Sequence, residues 1–499
     1  MTLLLLAPLR LEAMALASAP SHPRVTRTGM GPSRADAAMQ RLLARRPVPE
    51  GEALALVGAG GGLADDLEVG DLVVAQKVVR PDGSEVAMLA SAPLLAAELR
   101  SLGLRARCGT VASTDHLVTG AERRELARVA DVVDMESAAV VARATGPVAV
   151  VRAVSDTASR ELLSPAGLMG ASRALASLRA ATPALTRWAG ATGPRKALLA
   201  EPRSFCAGVH RAIETVERAL ALSGPPVYVR RQIVHNASVV RRLERAGAVF
   251  ITELEEAPDG ATVVFSAHGV GTAVHAEAAR RGMRAIDATC PLVSKVHHEA
   301  RRYAAAGRQV VLVGHRGHDE VEGTLGTVPG THLVEGPEDV RTLELDTDRP
   351  TAVVTQTTLA LDEVAGTLAE LDAMFKDLVH PNASDICYAS QNRQEAVRAM
   401  APACDLVLVV GSPNSSNCNR LVEVARRQGR PAHLVDTAAD IRLAWLEDAR
   451  TVGITAGAST PEELVQEVVS CLSSLGPLEL SELATGIENV TFPLPVEVR

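Results

Sequence analysis

Short apolar runs alternate with longer amphipathic stretches along the whole chain. In the first part the runs are TLLLLAP, ALALVGAG, DLVVAQKVV, GTVAST and VAVVRAVSD. Runs this unbroken predict strands buried on both faces, so this part reads as a helix-covered, parallel α/β sheet. The opening MTLLLLAPLRLEAMALASAP predicts a buried strand leading into a helix rather than a signal peptide. Pro8, Arg10 and Glu12 interrupt its apolar run, and no basic segment precedes it. The segment AGATGPRK is a Gly/Pro break followed by a fresh apolar strand, KALLAEP. It divides the chain into a first domain (1–188), a linker (189–196) and a second domain (197–499).

Beyond that break one layout recurs three times, over about 197–283, 284–380 and 381–475. Each repeat carries a cysteine (Cys206, Cys290, Cys387), a helical stretch, and an apolar run with a polar end: VYVRRQIVHN, VVLVGHRGHDE, LVLVVGSPNSSN. His235, His318 and Ser415 follow their cysteines by 29, 28 and 28 residues. An acidic edge comes next, then a second apolar run with a polar end: TVVFSAHG, TAVVTQTT, TVGITAGAS. His268, Thr357 and Ser459 lie there. A three-fold pseudo-repeat of α/β units brings equivalent loops around one axis. The expected result is a three-thiolate metal site beside a polar ligand pocket. Three unrelated buried cysteines are the blander alternative, and the shared register weighs against it.

Composition narrows the picture. A chain of 499 residues is too long for one ordinary domain. Aromatic residues make up only 2%, so Leu, Val and Ala must fill the cores. A formal charge of −8 opposes nucleic-acid binding. The arginines at 230, 231, 241, 242 and 245 read as a solvated helix face. Seven cysteines at these spacings do not form a secreted disulfide framework. Cys404 and Cys471 read as ordinary buried thiols, Cys418 is out of register with the repeats, and Cys108 has no evident partner. No run approaches the roughly twenty apolar residues of a membrane span, and the protein is expected to be cytoplasmic.

The motifs FCAGVHRAIE, VHN, FSAHGV, DATCPLVSKVH, GHRGHDEVEGT, TQTTL, DICYASQNRQEAV, GSPNSSNCNRL and TAGAS together carry a resemblance. Over essentially all of residues 197–499 the chain resembles the LytB family of 4-hydroxy-3-methylbut-2-enyl diphosphate reductases. The resemblance implies a 4Fe–4S cluster on Cys206, Cys290 and Cys387, with one iron free of protein thiolate. It implies diphosphate binding by His235, His268, Ser415, Ser416, Asn417 and Ser459. It puts the acid on Glu320 with His318 beside it, and has Thr357 contact the substrate hydroxyl. Spacing alone does not choose Glu320 over Asp319 or Glu322. The implied reaction removes a hydroxyl from an allylic diphosphate with two electrons and a proton, giving isopentenyl and dimethylallyl diphosphates. A ferredoxin- or flavodoxin-type protein would be the electron donor. A non-redox iron–sulfur hydro-lyase is the runner-up, and an iron–sulfur sensor ranks last.

Residues 1–188 resemble the nucleoside phosphorylase/nucleosidase family through LAPLRLEAMAL, RTGMGPSRA, VGAGGGLADDLEVGDLVVA, DVVDMESAAVV and VVRAVSDTA. That resemblance implies ribose contacts from Met135 and Glu136, protonation of a purine leaving group by Asp156, and water activation by Glu12. The glycine-rich run Gly58–Gly62 reads as a flexible turn that approaches a ligand. Leu117 stands where family members stack the base on an aromatic ring. A degenerate scaffold is the competing reading for this domain.

Overall fold

The computed structural model describes residues 2–45, 52–157, 165–381 and 384–499. It forms two compact units. Unit 1 is Met1–Ala197 with Thr437–Val452 and Gln466–Ser481; unit 2 is Leu198–Asp436 with Gly453–Val465 and Glu482–Arg499. The residues read as a linker finish the helix Pro165–Gly190 and begin the strand Arg195–Glu201. Among the described residues no helix is long and apolar enough to cross a membrane.

Unit 1 holds strands β1 (Thr2–Ala7), β2 (Arg24–Arg27), β3 (Glu52–Gly62), β4 (Leu72–Val79), β5 (Glu85–Met88), β6 (Ala106–Ser113), β7 (Val132–Asp134) and β8 (Val148–Asp156). Their order is β2-β1-β3-β7-β6-β4-β5, and β8 pairs with both β3 and β4. The pairings β3–β7–β6–β4–β8 thus return to β3 and close a ring. Closure mixes the directions: β3–β8 and β4–β6 are parallel, whereas β3–β7, β4–β8 and β4–β5 are antiparallel. This corrects the expectation of a parallel sheet. Unbroken apolar runs report burial on both faces, and a ring buries its inner face whatever the strand direction.

The glycine run corrects a second expectation. Gly58–Gly62 is no turn but the end of β3, with a register irregularity between Gly60 and Gly61. Glycine is needed there for close approach. A Cβ on Gly60 would lie 2.6 Å from Val132 Cγ1, and one on Gly58 would lie 2.6 Å from an Arg152 nitrogen.

The three repeats form parallel sheets of one design, the first two lying wholly in unit 2. The first sheet has order β11-β10-β12-β13 and the second β15-β14-β16-β17. Their strands are β10 (Val227–Arg230), β11 (Ala248–Ile251), β12 (Thr262–Phe265), β13 (Arg284–Asp287), β14 (Gln309–Val313), β15 (His332–Val334), β16 (Thr351–Thr355) and β17 (Leu378–Val379). The third sheet contains β18 (Leu406–Val410), β19 (Ala432–Val435) and β20 (Thr451–Ala456), in order β19-β18-β20. Its next strand is β9 (Arg195–Glu201), with β21 (Leu478–Ala484) beyond. The strand that opens the first repeat in sequence therefore belongs to the third sheet. The same offset holds elsewhere: β13 precedes Cys290 but lies in the first sheet, and β17 precedes Cys387 but lies in the second. Every cysteine thus sits where the chain passes from one module to the next. The cores are aliphatic, as the low aromatic content requires; all five residues of β18 are buried.

Replacing Gly60 by Ala is expected to destabilise unit 1 by about 1–3 kcal/mol through overpacking against Val132. Chemical denaturation followed by circular dichroism would register it as an earlier first transition.

Candidate functional site

The three cysteines are built alike. Each occupies the position before a helix: Cys206 before Ala207–Ser223, Cys290 before Pro291–Ala305, and Cys387 before Tyr388–Met400. Each donates its backbone N–H to a carbonyl at the polar strand end of the preceding module. Cys206 reaches Ala458 at 3.2 Å, Cys290 reaches Ala267 at 3.0 Å and Cys387 reaches Thr357 at 3.0 Å. Gly208 lies against two of the sulfurs: a Cβ there would be 2.7 Å from Cys290 Sγ and 3.8 Å from Cys206 Sγ. Burial, with the neighbouring Cys206 sulfur as the next cause, pushes the Cys290 thiol up to about 12 and the Cys387 thiol up to about 11.

Three soft donors, two of them raised by burial and by a neighbouring sulfur, held in a cradle a methyl group would fill, fit a multiply charged iron–sulfur centre. Such a charge reverses the local electrostatics and ionises coordinating thiols. Cys418 does not join them. It is buried in the helix Ser416–Arg427, where its Sγ lies near Gly411 and Gly457.

Beside the thiols lies a polar pocket. His235 and His268 stack with ring centroids 4.0 Å apart and planes 21° from parallel. His318 meets both edge-on, at 5.4 and 5.8 Å. Burial lowers the affinity of all three for protons; His268 falls well below the usual imidazole range and His318 to about 4. Among the described residues, both ring nitrogens of His235 are buried without a hydrogen-bond partner. Ser415 caps the helix Ser416–Arg427, its hydroxyl accepting from the Cys418 N–H at 3.4 Å. Ser459 donates to the His235 carbonyl at 3.1 Å and lies 3.4 Å from Ser415 Oγ. Asn417 Oδ1 accepts from the Ala458 N–H at 2.9 Å, and Ser416 Oγ accepts from Thr358 at 3.1 Å. Neutral imidazoles, hydroxyls, an amide and a helix N-terminus are the donors an anionic group needs.

Of the three carboxylates at 319, 320 and 322, only Glu320 is sealed from solvent, at 2% exposure. Its Oε1 accepts from the Thr357 N–H at 2.7 Å and its Oε2 from the Thr357 hydroxyl at 2.9 Å. Those bonds favour the carboxylate form, yet burial outweighs them and raises Glu320 to about 7. Asp319 and Glu322 instead face Arg231, which pairs with Asp319 Oδ1 and, at 2.7 Å, with Glu322.

In unit 1, Glu12 Oε1 accepts from the Ala59 N–H at 2.8 Å, and Glu136 Oε1 accepts from the Gly31 N–H at 2.8 Å. Burial raises both carboxyls. Between them lies Arg152, fully buried and paired with Asp134 and, at 3.4 Å, with Glu136. The Met135 side chain approaches Gly31, so it joins this group. Asp156 is engaged elsewhere: Arg123 Nη1 donates to its Oδ2 at 2.6 Å, and Arg123 Nη2 donates to the Gly62 carbonyl at 2.7 Å.

Several participants were missed in the sequence. Arg152 had a visible signal, because a charge inside the apolar run VAVVRAVSD must be paired. Asp385 is buried at the second module's edge, accepts from the Thr355 N–H at 3.0 Å, and is raised by burial to about 6. Its signal was weaker, a lone acid two residues before a cysteine. Arg123 gave none, since ERREL reads as a solvated helix.

The model of the LytB protein family matches residues 197–473, and that of the Phosphorylase superfamily matches residues 21–182. The 4-hydroxy-3-methylbut-2-enyl diphosphate reductase of Bordetella pertussis is 58% identical over 299 residues, covering 60% of this chain and 92% of the relative. The enzyme of that name from Chromohalobacter salexigens is 56% identical over 306 residues, 60% of this chain and 96% of its own. Among solved structures, the E-1-hydroxy-2-methyl-but-2-enyl-4-diphosphate reductase of Plasmodium falciparum superposes with a TM-score of 0.58 at 38% identity. It covers 60% of this chain and 96% of that one.

The buried Glu320 carries a stability prediction. Below pH 4.5 the side chain is protonated folded or unfolded and contributes no pH dependence. As pH rises from 4.5 to about 7, the unfolded chain ionises while the folded one holds its proton, so stability falls. Relative to Glu320→Gln, the native chain should lose on the order of 3 kcal/mol across that window. Denaturant midpoints of both proteins at pH 4.5, 6 and 8 would measure it.

Proposed function

The chain belongs to the LytB protein family, and from that premise we propose that unit 2 reductively dehydroxylates 4-hydroxy-3-methylbut-2-enyl diphosphate. The products are isopentenyl and dimethylallyl diphosphates, at the last step of the non-mevalonate route to isoprenoids. The observation that carries this reading is the meeting of three module-junction cysteines with a pocket of neutral donors and a proton-holding glutamate.

Cys206, Cys290 and Cys387 would hold a 4Fe–4S cluster through three thiolates, and when bound it supplies electrons one at a time. His235, His268, Ser415, Ser416, Asn417 and Ser459 bind and orient the diphosphate. His318 adds a further donor. Thr357 presents its hydroxyl both to Glu320 and to the substrate hydroxyl, so that a proton held on Glu320 reaches the leaving oxygen as water departs. Electrons come from a ferredoxin- or flavodoxin-type protein. Seven free cysteines suit a reducing, cytoplasmic setting.

For unit 1 we infer N-glycosidic cleavage on a nucleoside, with Glu12 activating water, Met135 and Glu136 on the ribose, and Asp156 as the acid. The Arg123–Asp156 pair favours a second reading, a scaffold that has lost its chemistry, because the arginine occupies the carboxylate that would have to reach a leaving group. Release of purine base by the whole chain, abolished in Glu12→Gln, is expected if the unit is active. A folded chain that releases no base leaves the scaffold.

The test of unit 2 is anaerobic. The cluster is reconstituted, and the allylic diphosphate is supplied with reduced methyl viologen. Both five-carbon diphosphates should form, Glu320→Gln should lower the rate about 10²–10⁴-fold, and the native rate should fall as pH rises through about 7. A fully loaded cluster without reductive turnover rejects the assignment. Gly208→Ala, which puts a methyl group against Cys290 Sγ, should lower the iron bound per chain while leaving the circular dichroism unchanged.

A further inference from the structure

Asp319 is out of place in a pocket suited to anions. Arg231 holds its Oδ1, but its Oδ2 faces inward, 4.0 Å from His235 Nε2 and 4.0 Å from His268 Nδ1. Donor atoms of these three residues all lie within 4.8 Å of one another. Among the described residues neither nitrogen of His235 has a hydrogen-bond partner, and Ser266 Oγ lies 3.5 Å from His268 Nδ1.

His318 stands apart chemically although it is adjacent. Its Nδ1 accepts from the Glu320 N–H at 3.2 Å, so the neutral ring carries its proton on Nε2 and offers a donor rather than a lone pair.

We propose that His235 Nε2, His268 Nδ1 and Asp319 Oδ2 form a site for a divalent transition-metal ion of the zinc class, filled when the anionic substrate is absent. Two imidazoles and one carboxylate oxygen suit zinc or cobalt better than magnesium or calcium, which take mainly oxygen. Tetrahedral bonds of about 2.0–2.1 Å place ligand atoms roughly 3.4 Å apart, against 4.0 Å here from each nitrogen to Asp319 Oδ2, and to share one ion the stacked rings of His235 and His268 must also turn out of parallel. The carboxylate brings the negative charge that the two neutral rings lack, and Arg231 fixes its orientation. Three protein ligands leave a coordination position open.

Zinc K-edge X-ray absorption on the cluster-loaded chain with one equivalent of Zn²⁺ tests this without turnover, so it stands or falls apart from the reductase assignment. The expected shell contains nitrogen and oxygen at about 2.0–2.1 Å, with outer scattering from two imidazoles and no sulfur near 2.3 Å. Asp319→Asn and His268→Gln should each weaken Zn²⁺ binding about tenfold or more in chains that keep their cluster absorbance. A sulfur shell, or equal affinity in the native chain and both variants, overturns the site. Should neither variant hold a cluster, the scattering shell of the native chain decides.

Discussion

Three backbone hydrogen bonds, from Cys206 to Ala458, Cys290 to Ala267 and Cys387 to Thr357, organise everything polar in unit 2. Each joins a cysteine to the strand end of the module before it. Each cysteine also follows a strand of that earlier module and begins a helix of its own. The modules are therefore bound in a cycle, and the sulfurs are carried to its centre together with the loops bearing His268, Thr357 and Ser459. No single module could present this site, because each sulfur is supported by two.

The electrostatics follow from that enclosure. The Cys290 and Cys387 thiols, poorly solvated and close to another sulfur, resist ionisation, so the centre favours a ligand with high positive charge. The same poor solvation strips protons from imidazoles and keeps one on Glu320. The pocket thus holds a carboxylic acid beside neutral rings near pH 7, the reverse of the usual assignment of charge in water. Arg231 pairs with the two neighbouring carboxylates, Asp319 and Glu322.

The repeats were legible because strands buried on both faces read as unbroken apolar runs, and because the same polar types end them in each module. The gathering of His235, His268 and His318 follows directly from that register. What stayed hidden depended on tertiary partners. KALLAEP is visible as a strand, but no local pattern says that β9 lies in the third sheet beside β20. The glycines of β3 look like a turn until Val132 and Arg152 are placed against them. Arg123 resembles any solvated arginine until its contact with Asp156 is seen. The choice of Glu320 among three acids rests on burial, which spacing cannot report.

The position of β9 bears on how the protein is made. This strand leaves the ribosome before any other part of unit 2, yet its partner β20 (Thr451–Ala456) is among the last strands synthesised. Joining them closes a loop of some two hundred and fifty residues, and the entropy of that closure is recovered only when the last module forms. Until then an apolar strand with open backbone donors and acceptors waits unpaired, the kind of edge that recruits other chains. Pairing of β9 with β20 therefore comes late in the life of each new chain. A ribosome that stops short of β20 releases a product in which β9 still lacks that partner.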